Sequence, residues 1–153
     1  VGEPRELTNE VLDYSTPLLP EDKPRYVMGV GKPEDILNAV ELGIDMFDCV
    51  MPTRNARNAG LFTTDGFIHI KNERFKEDES PLDPLWNCDT CSRYSRAYLR
   101  HLFMVKEITA SVIATMHNLH FYLQLMREIR RSIEEDRFSQ FKKDFLNRYH
   151  AND

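Results

Sequence analysis

Long apolar runs are missing from this chain. The longest, such as Leu102 to Val105, are a few residues, whereas a membrane-crossing helix needs about 18 to 20. A transmembrane helix is therefore not expected. The opening residues, Val1-Gly2-Glu3-Pro4-Arg5-Glu6, carry neither a basic nor an apolar stretch, so no secretory signal is expected in them. Cysteine is scarce as well. Cys49, Cys88 and Cys91 are an odd number and build no disulfide framework, which fits a reducing compartment and points to the cytoplasm. Internal repeats and low-complexity segments are lacking too. Length adds a further exclusion: 153 residues hold one ordinary domain, but a whole (β/α)8 barrel needs about 250. What is present, 41% hydrophobic and 29% charged residues, suffices for a packed core and excludes a disordered tail.

The net charge of −5 hides an asymmetry. Residues 1 to 91 carry 9 Lys and Arg against 18 Asp and Glu, a balance of −9; residues 92 to 153 carry 11 against 7, a balance of +4. Arg93, Arg96 and Arg100, and then Arg127, Arg130 and Arg131, fall at helical spacing and can present a positive face to a phosphate backbone. Charge alone favours a plainer reading, a solvated helix face balanced by Glu128, Glu134 and Glu135.

Periodicity organises the rest. Pro4 followed by Leu7, Val11, Leu12 and Leu18 or Leu19 predicts a helix over 4–19, ended by Pro20 and Pro24. Arg25 to Val30 and Ile44 to Val50 read as buried strands. Between them Lys32-Pro33-Glu34-Asp35 opens a short helix with its acids in the first turn, and Gly43 stops it. Strand, helix and strand make one βαβ unit with parallel strands and a right-handed crossover. Residues 51–60 read as a polar loop, Leu61 to Ile70 as a hairpin around Asp65-Gly66, and 71–87 as loop. Helices follow over about 92–103, 107–133 and 137–149. The middle one carries Ile108, Val112, Met116, Leu119, Leu123, Met126, Ile129 and Ile133 at three- and four-residue steps; on the last, the stripe Phe138, Phe141, Phe145 and Tyr149 reads as core. Two parallel strands form no closed sheet alone, so the pattern is part of a larger α/β fold.

Three groups can carry chemistry. Asp48 stands at the C-terminal end of a parallel strand, where ligands bind in α/β folds, and a carboxylate there can act as nucleophile or base. Asp45 is the other acid on this run, and hydrogen bonding to loop amides is the alternative role for such a residue. Cys88-x2-Cys91, with His117 downstream, offers two sulfurs and an imidazole suited to tetrahedral zinc, and His120, three residues on, is a candidate fourth ligand. The alternative is two unligated thiols beside a buried histidine. Arg54 and Arg57, three apart just past Asp48, can clamp phosphates or base edges.

The runs Arg25-Tyr26-Val27-Met28-Gly29-Val30-Gly31, Gly43 to Asn58, Ser95-Arg96-Ala97-Tyr98-Leu99 and His117-Asn118-Leu119 together resemble the C-terminal portion of a bacterial-type tRNA-guanine transglycosylase (queuine tRNA-ribosyltransferase), over essentially the whole chain. The resemblance implies an α/β fold, the C-terminal part of an irregular (β/α)8 TIM barrel with a zinc-binding-type subdomain and C-terminal helices. It divides the chain into barrel strands, helices and hairpin over 1–70, a zinc-knuckle subdomain over 71–106, and closing helices over 107–153. The activity implied is a cytoplasmic transferase that exchanges the wobble guanine of tRNA for a 7-deazaguanine base, in queuosine formation, through a covalent Asp–ribose intermediate. Asp48 would be the nucleophile, Glu3 and Met28 would line the base pocket, and Lys32, Arg54 and Arg57 would hold the tRNA anticodon loop. Cys88, Cys91 and His117 would hold Zn2+. Tyr98 and His101 would lie at a homodimer contact.

Two departures accompany the match. The family's zinc motif is Cys-x-Cys-x2-Cys, and Trp86 stands at its first position, which weakens the implied zinc site by one thiolate. The family's general acid/base aspartate, its second base-reading carboxylate and its glycine-rich loop lie upstream of the matched portion. The isolated chain is therefore expected to be inactive, and a non-catalytic RNA-binding or dimerisation module is the alternative reading.

Overall fold

The computed structural model describes residues 4–86 and 88–151, and the chain divides into two compact units, Val1–Met51 and Pro52–Asp153. The first unit is built from α1 (Arg5–Ser15), a 3-10 turn (Thr16–Leu18), β1 (Tyr26–Met28), α2 (Pro33–Glu41) and β2 (Met46–Asp48). Pro4 caps α1 in place of opening it. The expected signals of α2 are met: Pro33 takes its first position, and Glu34 and Asp35 sit where the helix dipole favours negative charge. Its end is a Schellman motif. Gly43 adopts φ +90°, its N–H reaches the Val40 carbonyl at 2.9 Å, and the Ile44 N–H reaches that of Ala39 at 3.0 Å. A side chain at Gly43 would also meet Thr16.

The strands β1 and β2 pair in parallel, Tyr26 opposite Met46, Val27 opposite Phe47 and Met28 opposite Asp48. Alternation sends Val27 and Phe47 toward Leu12, Ala39, Leu42 and Ile44, which form the small core of this unit. The other face carries Tyr26, Met28, Met46 and Asp48, all exposed, with Met28 63% so. The expectation of strands buried on both faces is thus met on one face only.

The second unit contains α3 (Met51–Arg57), whose first residue precedes the boundary, the hairpin β3 (Gly60–Thr63) and β4 (Gly66–His69), a 3-10 turn (Glu73–Phe75), α4 (Arg96–Met104), α5 (Ile108–Glu134) and α6 (Phe138–Tyr149). The expected loop over 51–60 is a helix for most of its length. Its polar surface hides two inward residues, Pro52 and Ala56. Ala59, fully buried, takes the left-handed conformation (φ 64°) that turns the chain from α3 into β3. The hairpin forms as expected, closed by Thr64 and Asp65, with Gly66 at φ +111° and the Tyr149 carbonyl so close behind it that no side chain fits.

Helix α5 spans the length expected, but of the stripe that announces it only Ile129 is buried and Met126 half-buried. Ile108 is 80% exposed, and Val112, Met116, Leu119, Leu123 and Ile133 are exposed with it, while Ile113, His117, Asn118, Phe121, Leu125 and Ile129 face inward. The helix has two apolar stripes. On α6, Phe145 and Tyr149 are buried as expected, whereas Phe138 and Phe141 are only half-buried.

The inward face of α5 is held to the hairpin by polar bonds. Asn118, fully buried, accepts from the Phe62 N–H at 3.1 Å and donates to the carbonyls of Pro52 (2.9 Å) and Gly60 (3.0 Å). Removing it strands three backbone groups. We expect Asn118→Ala to lower the unfolding free energy by about 3 kcal/mol, from the cost of unpaired buried groups. Asn118→Asp, equal in size but unable to donate to two carbonyls, should do similar harm. Urea denaturation of both variants measures this.

Candidate functional site

Two clusters of chemically capable residues emerge, one in each unit. In the first, the parallel register lays Tyr26 and Asp48 on the same exposed face of β1 and β2. The Tyr26 hydroxyl donates to Asp48 Oδ1 at 2.5 Å, and the Gly29 N–H, at the end of β1, donates to the same oxygen at 3.3 Å. Gly29 has φ 73°, so the turn that aims its N–H is one that glycine adopts readily. One oxygen of Asp48 is thereby fixed by two donors in an exposed setting. The other acid of the run has a different role: Asp45 Oδ2 accepts from the Arg25 N–H at 2.8 Å and anchors the start of the strand pair.

The neighbouring expected residues are distributed as follows. Met28 lies directly opposite Asp48 in the register, on the open face. Lys32 is exposed at the cap of α2, its carbonyl accepting from the Asp35 and Ile36 N–H groups. Glu3 lies outside the described residues. Arg54 and Arg57 belong to the second unit; they share one face of helix α3 and are exposed, not carried on a loop as expected. Tyr98 and His101 are exposed on α4, with Tyr98 stacked on Tyr94 at 5.5 Å between ring centroids. Tyr26 was not singled out in the sequence, because only the strand register reveals what its hydroxyl reaches.

The second cluster is Cys88, Cys91 and His117, all buried, with their ligating atoms within 4.8 Å of one another. The two sulfurs lie 3.0 Å apart, and His117 Nδ1 is 3.6 Å from Cys88 Sγ and 3.4 Å from Cys91 Sγ. Tetrahedral zinc, with Zn–S of about 2.3 Å and Zn–N of about 2.0 Å, requires roughly 3.7 Å between sulfurs and 3.5 Å from sulfur to nitrogen. The imidazole already sits at that distance, and the thiols need to part by well under 1 Å. The donor set therefore fits a zinc-like ion. It is not a disulfide, whose sulfurs approach to about 2.05 Å.

Three surrounding contacts prepare these donors. His117 Nε2 lies 2.8 Å from the Phe62 carbonyl, which can only accept, so the proton sits on Nε2 and the lone pair of Nδ1 faces the sulfurs. The Cys91 N–H donates to Cys88 Sγ at 3.2 Å, and Thr90 Oγ1 lies 2.8 Å from the same sulfur. The Cys88 thiol is held well below the usual cysteine range, first by its bond with Cys91 and against the effect of burial, with His117 and Thr90 contributing; the same bond and burial push Cys91 up. His120, expected as a fourth ligand, is not in the cluster. It lines a cavity of about 300 Å3 together with Cys88, Asp89, Thr90, Ser92 and Met116.

A parallel strand pair with a carboxylate at its mouth, and a cysteine pair joined by a histidine from a long helix, make the chain a mixed α/β protein with a donor cluster able to hold a metal. The family model for queuine tRNA-ribosyltransferase matches residues 1–151. Queuine tRNA-ribosyltransferases of Helicobacter pylori (strain Shi470) and Aquifex aeolicus (strain VF5) are each 57% identical to it, over 99% and 97% of this chain; that of Mannheimia succiniciproducens is 55% identical over 97%. The chain belongs to the queuine tRNA-ribosyltransferase family. It spans 41% of the length of the H. pylori relative and 39% of the other two. No helix among the described residues is long and apolar enough to cross a membrane.

The Tyr26–Asp48 contact carries a measurable signature. The bond to Asp48, with some desolvation and the carboxylate's charge, raises the Tyr26 phenol above its ordinary value. A raised folded-state value means that the contact's contribution to stability is whole below the unfolded tyrosine pKa and is lost as pH climbs through the raised one. In a 13C NMR titration of tyrosine-labelled protein, Tyr26 should ionise at a higher pH than in Asp48→Asn, where the charge is gone.

Proposed function

We propose that this chain is the part of a tRNA-guanine transglycosylase that carries its nucleophile, with β1, α2 and β2 as a segment of an irregular (β/α)8 barrel. The observation that carries this reading is the position of Asp48: exposed, at the C-terminal end of a parallel strand, with one oxygen pinned by Tyr26 and Gly29. In the proposed reaction the free Asp48 oxygen attacks C1′ of the wobble ribose. The C1′–N9 bond to guanine breaks, and its electron pair leaves with the base. Guanine takes up a proton as it leaves; a 7-deazaguanine base then attacks C1′ through N9, gives up its N9 proton and expels the Asp48 carboxylate, giving net retention through two displacements with no net change in protons. Tyr26 and Gly29 stabilise that carboxylate as it departs, so their donors favour the second displacement.

Glu3 and Met28 would contact the base, and Lys32, Arg54 and Arg57 would hold the anticodon loop, whose target nucleotide must leave the stack to reach a carboxylate. Tyr98 and His101, exposed on α4, would meet a second copy. Cys88, Cys91 and His117 would bind zinc, which when present supplies a crosslink between the knuckle and α5. This reading retains the division into 1–70, 71–106 and 107–153, and a cytoplasmic setting follows from a tRNA substrate.

The test is covalent capture of tRNA by the complete protein that contains these residues, read on a denaturing gel beside exchange of labelled guanine. Asp48→Asn should abolish both adduct and exchange. Tyr26→Phe should keep the adduct and slow turnover about tenfold, the value of one charge-assisted hydrogen bond. An Asp48→Asn protein that still forms the adduct would exclude the nucleophile assignment. Salt-dependent tRNA binding without adduct or exchange in the unsubstituted protein would favour a non-catalytic RNA-binding module.

A further inference from the structure

The cysteine–histidine centre has three donors where a closed tetrahedral site has four. The residues best placed to supply another are committed elsewhere among the described residues. The half-buried Trp86 ring packs against Phe121 of α5 (centroids 5.1 Å apart) and Phe145 of α6 (6.1 Å). Asp83 is buried but saturated: it accepts from the Thr64 N–H (2.6 Å), the Thr64 hydroxyl (3.0 Å) and the N–H groups of Leu85 (2.8 Å) and Trp86 (2.7 Å). His120 stands back from the cluster. Against Cys88, meanwhile, opens the cavity of about 300 Å3, lined also by Asp89, Thr90, Ser92, Met116 and His120. At about 30 Å3 per water, that space takes several solvent molecules or one small ring.

We infer that the metal centre of this chain is open: Cys88, Cys91 and His117 hold the ion, and its fourth position faces the Cys88–His120 cavity, where solvent exchanges with small neutral nitrogen donors. Two thiolates and a neutral imidazole already cancel a divalent charge, and Asp89 lines the entry, so a neutral ligand is preferred over an anion. Three protein ligands with one exchangeable position is the arrangement of zinc sites that bind or activate a ligand, in contrast to the closed sites that serve only as crosslinks. This inference rests on the metal reading of the cluster and adds to it a labile position.

Cobalt(II) in place of zinc, with imidazole as the probe, tests it by visible absorption on this chain. The expected result is a saturable shift of the ligand-field bands with imidazole while the thiolate-to-cobalt charge-transfer band is retained. Trp86→Cys, which offers a third thiolate, should tighten cobalt binding and abolish the response. Trp86→Phe, which keeps the aromatic packing, should respond like the parent, so a folding failure of the cysteine variant leaves the test intact. Cobalt uptake with no imidazole shift would overturn the open position alone, as would a shift accompanied by loss of the charge-transfer band, which signals removal of the ion. A changed ligand-field spectrum in His120→Ala before imidazole is added would show that His120 closes the site, and would also overturn it. A chain that takes up no cobalt would overturn both this inference and the metal reading.

Discussion

Much of the larger unit hangs on two adjacent residues of α5 and the strand they grip. His117 reaches the Phe62 carbonyl and Asn118 the Phe62 N–H, so the two polar groups of one residue of β3 are met by consecutive side chains of a helix. Asn118 also collects the carbonyls of Pro52 and Gly60. Backbone groups buried away from water must be paired, and here a helix supplies partners that no further strand provides among the described residues. The same contact decides chemistry. Fixing the proton of His117 on Nε2 leaves Nδ1 with its lone pair toward the sulfurs, so the bond that docks the helix also orients a nitrogen suited to a metal.

Asp83 plays a comparable role for the knuckle. Its carboxylate joins Thr64, in the hairpin turn, to the N–H groups of Leu85 and Trp86 just before the cysteines. The chain thus enters the cysteine pair from a fixed direction, and Trp86 is delivered into the aromatic cluster with Phe121 and Phe145. A buried carboxylate with four donors is stable where an unpaired one would not be, because each oxygen exchanges water for an amide or hydroxyl. The ring of Trp86 is committed to aromatic packing.

What could be read in advance follows a physical rule. Features set by neighbours in sequence were legible: the Pro33 start and Gly43 stop of α2, the hairpin over 61–70, the extent of α5, and the Cys88, Cys91 and His117 donor set, whose residue types and spacing already speak of soft metal chemistry. Features set by pairing were not. Nothing local tells that the Tyr26 hydroxyl will reach Asp48, since that depends on the register between β1 and β2. The helix α3 was hidden because Met51 to Arg57 has only Pro52 and Ala56 facing inward, too few for a periodic signal. On α5 the signal was doubled: large residues such as Ile108 and Leu123 make one apolar stripe, while the buried face sets Ile113, Phe121, Leu125 and Ile129 among His117, Asn118 and small alanines, which a hydropathy pattern undervalues.

The two aspartates of the second strand show how geometry separates equal chemistries. Asp45 and Asp48 are the same residue type three positions apart, and both accept backbone N–H groups from the β1 side. Asp45 lies before the strand and takes the Arg25 N–H, so its carboxylate aligns the two strands where they begin to pair. Asp48 lies at the other end, where parallel strands have run out of partners. Its first oxygen is tied to Tyr26 and Gly29, which orients the group and sets the direction of the second. An exposed carboxylate left to itself rotates freely and presents each oxygen to water. Held on one side by two donors from different positions on β1 and its following turn, it loses much of that rotational freedom.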